Sequence, residues 1–271
     1  WYFYINSAPW LPNRFHDKAV MEGQRKFMGT LWNTYVFFVT YASIDEFDAT
    51  KYTLDYDKLP VMDKWLLSKL NSVIKAVDNN LENYRIPEAA RALSEFVDEM
   101  SNWYVRRCRD RFWAKGMEQD KINAYMTLYT ALVDICKAAA PMVPFITEEI
   151  YQNLVCSINK TAPESIHLCD FPVACEAWID AALEADMKKV VEIVVLGRAC
   201  RNAANIKNRQ PIADMYVRQE DEESALSDFY AEIIRDELNV KNVKFTSDVS
   251  AFTSYSFKPQ LKTLGKRFGS G

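Results

Sequence analysis

Residues Leu93 to Trp113 read LSEFVDEMSNWYVRRCRDRFW. On a period of about 3.6 residues, Leu93, Phe96, Val97, Met100 and Tyr104 fall on one face, the pattern of a helix buried in a bundle. Arg106, Arg107, Arg109 and Arg111 then crowd the last two turns, where the helix dipole favours a cation and a cation can reach an anion. Arg107 and Arg111 continue the apolar stripe, so they are read as snorkelling or ion-paired residues at the edge of the core. Arg106 and Arg109 point the other way, with Trp113 close to their side, and are the better candidates to meet a partner.

Around this helix the same reading repeats. Asp17 is a plausible N-cap for a helix to about Ser43, with Val20, Phe27, Leu31, Tyr35, Phe38 and Ala42 inward. An acidic loop closed by Pro60 precedes a helix from about Met62 to Tyr84, with Leu66, Leu70, Val73, Ile74, Val77 and Leu81 in register. Pro87 opens the arginine-rich helix and Gly116 closes it. Further helices are expected over about Asp120–Ala140 and Phe145–Cys156, the second opened by Pro144. Residues 158–173 read as irregular with a short β-like run, Ser165 to Cys169. A long helix from about Glu176 to Asn205 should bury Ala182, Met187, Val190, Val191, Val194 and Leu196. After Pro211 the pattern changes to strand (Ile212–Val217), helix (Asp221–Leu238) and strands at Val240–Thr246 and Ser254–Lys258.

The fold class expected is therefore mainly α, an up-and-down helical bundle with a small C-terminal α/β appendage. The divisions are a connector at 1–16, a bundle at 17–175, a junction helix at 176–210 and a small subdomain at 211–271. The run Trp1-Tyr-Phe-Tyr-Ile-Asn-Ser-Ala-Pro-Trp10 reads as the continuation of a preceding domain, and the chain reads as truncated at Gly271. Alternating helices put the loop at Tyr41–Asp57 and the turn at Trp113–Gln119 at the pole away from Trp1, roughly 35 Å off at about 1.5 Å per residue.

Charge is segregated. The formal net charge is −4, yet 103–115 carries five basic residues and one acid, 188–210 six and one, and 258–267 four and none, so these stretches hold +13 and the rest −17. That is the pattern of basic patches on an acidic body, although solvated helix ends give the same count. Seven glycines, with nothing around Gly265 and Gly269 that reads as a nucleotide loop, argue against a glycine-cradled phosphate. Six cysteines without a CxxC pair read as free thiols of a reducing cytoplasm. His167 and Cys169 lack two further ligands for zinc, so no metal is expected. Neither GxSxG nor HExxH nor a P-loop occurs, the two histidines, His16 and His167, lie in connectors, and paired acids such as Asp98-Glu99 point apart on a helix. No catalysis is expected of these residues by themselves, and the longest apolar runs are too short for a bilayer.

Several strings resemble one family. Trp1 to Trp10 is similar to the segment after the signature lysine loop of class I aminoacyl-tRNA synthetases. Leu31-Trp-Asn-Thr, Ser101 to Trp113, Ala140 to Tyr151 (APMVPFITEEIY) and Ile206-Lys-Asn-Arg-Gln-Pro-Ile212 resemble the anticodon-binding helical domain of the isoleucine, valine and leucine enzymes. The likeness is nearest to the isoleucine enzymes, through SNWYVRR-x-R-x-RFW and through Phe257 to Gly265 (FKPQLKTLG). It implies a parent protein that activates isoleucine with ATP and Mg and charges tRNA(Ile). Neither a HIGH-type nor a KMSKS-type motif is present, so only a grip on tRNA carries over, with no cofactor here. The partners implied are tRNA(Ile) and the catalytic domain of the same chain, in a cytoplasmic monomer with no membrane contact.

The expected tRNA-binding residues are Arg106, Arg109, Trp113 and Lys115, with Tyr41 and Phe47 as stacking platforms. Arg198, Arg201, Asn202, Lys207 and Arg209 are expected along the inner side of the tRNA or against the appendage. Trp113 and Phe47 could equally be core, and Arg209 could pair with a junction acid. The alternatives are the same domain of a valine or leucine enzyme, and a helical module whose basic ends bind an acidic protein.

Overall fold

The helix expected from Asp17 forms in three segments: α2 (Asp17–Gln24), a wide π-helical turn at Arg25–Gly29, and α3 (Thr30–Ile44). It follows a short helix, α1 (Tyr2–Asn6). The structure is a computed structural model that describes residues 1–6, 12, 15–219, 226–248 and 250–252. Phe27, Leu31, Tyr35 and Phe38 are buried as expected. Asp17 makes no cap bond and lies inside the first turn, after His16. Trp1 stacks on Phe27 at 3.8 Å. That contact falls well inside the helix, so the axial distance from there to Tyr41 is about 21 Å rather than 35 Å.

Two compact units form, Trp1–Glu184 and Ala185–Gly271. In the first, α4 (Val61–Glu82) buries Leu66, Leu70, Val73, Ile74 and Val77. The arginine-rich helix comprises α5 (Ile86–Glu99), a wide turn at Met100–Val105 and α6 (Arg106–Trp113). The wide turn shifts the buried face, so Trp103 and Val105 join Tyr104 in the core, which a constant period does not foresee. The helix stops at Ala114, ahead of Gly116. Gly116 is the residue that tolerates the left-handed turn, φ +76°, into α7 (Gln119–Ala139). α8 (Pro144–Tyr151) and a wide turn at Gln152–Cys156 complete the bundle, with α4 against α5 and α7, and α7 against α8.

The β-like run at Ser165–Cys169 is instead a single 3-10 turn, Ile166–Leu168. Among the described residues no strand pairs with it; the Glu148 carboxylate accepts from Ser165 Oγ and the Ile166 N–H, both at 2.9 Å, and Ser165 Oγ caps the turn. Burial disfavours the Glu148 charge, but these bonds and one from Gln152 outweigh it and hold the carboxyl below its usual range.

The long helix begins at Ala181, after a 3-10 turn at Glu176–Trp178, and runs as α9 to Ala203. In the second unit its buried stripe is Met187, Val190, Val194, Gly197 and Arg201. Ala182 and Leu196 are exposed, contrary to expectation; near Leu196 the buried stripe runs instead through Gly197, onto which Leu238 packs, and through the buried Arg201. β1 (Ile212–Arg218), α10 (Asp228–Leu238) and β2 (Val240–Thr246) form a βαβ unit whose strands are parallel, Ile212 beside Val240 and Val217 beside Phe245. Asn239, left-handed at φ 50°, ends α10. The first part of the helix expected from Asp221 and the third strand at Ser254–Lys258 lie outside the described residues. No helix among the described residues is long and apolar enough to cross a membrane.

Candidate nucleic-acid interface

The end of α3, the start of α4, the end of α6 and the start of α7 meet at one pole of the first unit, braced by two clusters of buried charge. Asp63, fully buried on α4, accepts from Arg111 Nη1 and Nη2 at 2.6 and 2.8 Å and from Tyr104 Oη at 2.7 Å. Arg111 Nε donates in turn to Asp120 on α7 at 2.9 Å. Burial disfavours the Arg111 charge, yet its bonds to Asp63 and Asp120 raise its pKa overall. Burial, reinforced by Asp63, pushes the Tyr104 hydroxyl well up.

In the second cluster Lys121, only 3% exposed, donates to the Ala114 carbonyl at 2.7 Å and pairs with Asp45 at 2.6 Å. Tyr125 Oη donates to the same carboxylate. Burial and then Asp45 raise the Tyr125 hydroxyl. These fixed pairs hold the last turn of α6 at the end of α3. Phe37 wedges between them, its ring 5.0 Å from Tyr41 and 5.1 Å from the buried Phe112.

Above this base stands a cationic and aromatic array. The Trp113 ring is 52% exposed, Arg109 lies over it at 5.6 Å, and half-buried Tyr41 is 6.4 Å from it. Arg106 is exposed too, but lies back along the helix over Trp103 at 5.6 Å, with its Nε donating to the Asn102 carbonyl. Lys115 is exposed beyond the helix end. An exposed indole with a guanidinium on it can take a stacked base and a phosphate at one place. Arg107 and Arg111 lie at the core edge as expected, Arg107 over Trp103 at 5.9 Å and Arg111 in its ion pairs.

Other expected residues take structural posts. Phe47 is not an open platform: its ring stacks on Tyr52 at 5.4 Å and on Tyr125 at 4.6 Å. In the second unit Arg198 is committed to Glu237 at 2.5 Å. Arg201 is 4% exposed and donates to the carbonyls of Lys207, Asn208 and Gln210, so it ties down the turn after α9. Asn202, Lys207 and Arg209 are exposed. The basic stretch at 258–267 lies outside the described residues. Sequence reasoning missed Asp45, Asp63, Lys121 and Tyr125; the available signal was a charged residue set among apolar ones at Asp63 and Lys121.

Residues 63–217 match the family model described as the anticodon-binding domain of tRNA ligase. The chain is 52% identical over 99% of its length to an isoleucine–tRNA ligase of Clostridium kluyveri, of which it covers 26%. It is likewise 52% identical over 99% of its length to that of Clostridium novyi, covering 25%. Against isoleucine–tRNA ligase 2 of Bacillus cereus it is 42% identical over 99% of its length, again covering 25%. The chain thus spans about a quarter of the length of these curated relatives.

Proposed function

Because this chain belongs to the family of anticodon-binding domains of tRNA ligases, we propose that the braced pole of its first unit grips the anticodon stem and loop of a tRNA. The observation that carries the reading is the Arg109–Trp113–Tyr41 array, exposed on a base of buried ion pairs. Arg106, Arg109 and Lys115 supply salt-dependent phosphate contact, and Trp113 with Tyr41 offers faces to unstacked loop bases. Stacking of this kind contributes about 1–3 kcal/mol per base. Asn202, Lys207 and Arg209 supply a secondary contact to RNA from the second unit.

The relatives named isoleucine–tRNA ligase favour tRNA(Ile) as the RNA. They favour a parent protein that activates isoleucine with ATP and Mg in a separate catalytic domain, acting as a monomer in the cytoplasm. Charge reversal tests the grip: Arg106→Glu with Arg109→Glu should weaken binding of a tRNA(Ile) anticodon stem-loop at least about tenfold, leave the melting temperature unchanged, and flatten the salt slope by about two. Unchanged affinity, or equal binding of an unrelated hairpin and an acidic protein, refutes the reading.

A further inference from the structure

The last turns of α3 present two faces. Phe37 and Tyr41 lie toward α6, whereas Val39, Ala42 and Ser43, nearly opposite on the helix, form one wall of a pocket of about 240 Å³. The loop after α3, the middle of α7 and the wide turn at Gln152–Cys156 supply the rest, with Phe38, Leu154 and Ile158 as apolar lining. The pocket is smaller than the roughly 300–1,000 Å³ of drug-sized sites, so it admits one flat ring and not a whole nucleotide.

Its polar groups offer acceptors. Asn153 Nδ2 is committed to Tyr35 Oη and the Ser157 hydroxyl to the Asn153 carbonyl, which leaves an acceptor on each. Glu46 is the one charged residue among the described residues that line the pocket, and it has no hydrogen bond or ion pair among them. Its neighbour Asp45, by contrast, is taken up by Lys121 and Tyr125. Glu46 also stands where the chain turns left-handed, φ 52°, and the Phe47 N–H closes α3 on the Ala42 carbonyl at 2.8 Å. Asn205 and Asn239 hold the same conformation, for which glycine or asparagine is the easier choice, so a glutamate there gains nothing for the backbone.

An unpaired carboxylate beside a phosphate-binding surface weakens RNA binding unless it meets a donor. The donors that a flat ring of RNA brings into a pocket are the imino and amino groups of a base. In guanine two of them lie side by side and match the two oxygens of a carboxylate. We infer that an unstacked base of the anticodon loop enters this pocket and gives its amino edge to Glu46, guanine being the best match, while a neighbouring base stacks on Trp113 across the end of α3. The inference rests on the RNA reading above and adds base selection to it.

The test is binding of a tRNA(Ile) anticodon stem-loop to the 271-residue chain and to Glu46→Gly, with loop bases replaced one at a time by analogues that lack the amino group: inosine for guanosine, purine riboside for adenosine, uridine for cytidine. Glycine relaxes the left-handed turn, so the urea midpoint of Glu46→Gly should be equal or higher, yet the stem-loop should bind about tenfold more weakly. At one loop position the analogue should cost the unaltered chain about the same factor and cost Glu46→Gly nothing further. A glutamate that merely lies near phosphates gives the opposite sign, since its removal tightens binding. Equal or tighter binding by Glu46→Gly, or analogue losses that are the same in both chains at every position, overturns the inference. If Trp113→Ala still weakens binding in that case, the grip on RNA stands without it; a chain that does not bind the stem-loop at all overturns both.

Discussion

Replacing Asp63 with alanine removes a single carboxylate that serves two buried donors. Asp63 is fully buried; Arg111 gives it two bonds of 2.6 and 2.8 Å, and Tyr104 one of 2.7 Å. In Asp63→Ala the guanidinium, 17% exposed, keeps its bonds to Asp120 and a weak one to the Cys108 sulfur, and the phenol loses its Asp63 acceptor. Removing one partner of a buried pair costs about 3–5 kcal/mol. The orphaned phenol does not add in full, because both losses fall on the same carboxylate. In a unit of this size each kcal/mol shifts the melting temperature by about 2–4 °C, so the expected drop is roughly 6–20 °C. The paired variant Asp63→Ala with Arg111→Met leaves no uncompensated charge and should recover more than half of the loss. Thermal and urea unfolding followed by circular dichroism decide it. A drop below about 2 °C for the single variant, or a double variant worse than the single, would refute the claim that this pair braces the pole.

Trp113→Ala should cost about 1–3 kcal/mol of stem-loop binding with little change in melting temperature, whereas Phe47→Ala should reverse that pattern and cost about 3–5 kcal/mol of stability. Filter binding and thermal melts on both variants check this. At Gly197 an added Cβ would sit 2.4 Å from Leu238 Cδ1, so Gly197→Ala should destabilise the second unit by about 1–3 kcal/mol. At Gly29 the nearest atom is 3.9 Å away, so Gly29→Ala should be neutral or stabilising by up to about 1 kcal/mol; urea midpoints read both. Alkaline pH gives another check. Burial raises the Tyr104 and Tyr125 hydroxyls above the ordinary tyrosine value of about 10. The unfolded chain therefore sheds those protons first, and stability should hold below about pH 10 and fall as pH rises beyond it. Tyr125→Phe should flatten that fall in a pH series of urea melts.

The bundle was legible because its helices carry long apolar stripes bounded by proline. Leu93, Phe96, Val97, Met100 and Tyr104 are all in the core, as the period requires. Trp103 and Val105 were not legible, since one wide turn rotates the face and the sequence does not announce it. The site was half legible. Arg109 and Trp113 stand four residues apart on one helix, so spacing alone puts them together. Arg111 could be read as ion-paired, but its partner lies 48 residues away on another helix, and only tertiary structure names it. Phe47 and Arg201 show the limit most clearly. Whether an aromatic ring is a platform or a core residue, and whether an arginine faces RNA or its own backbone, depends on neighbours distant in the chain.

The most direct measurement is a photo-crosslink from a thiolated base in the anticodon loop of tRNA(Ile) to this chain, mapped by peptide mass spectrometry. The account predicts adducts on Tyr41, Trp113 or the residues between Arg109 and Lys115. Adducts confined to the start of α5 or to α8, or none in low salt where phosphate contacts are strongest, would contradict it.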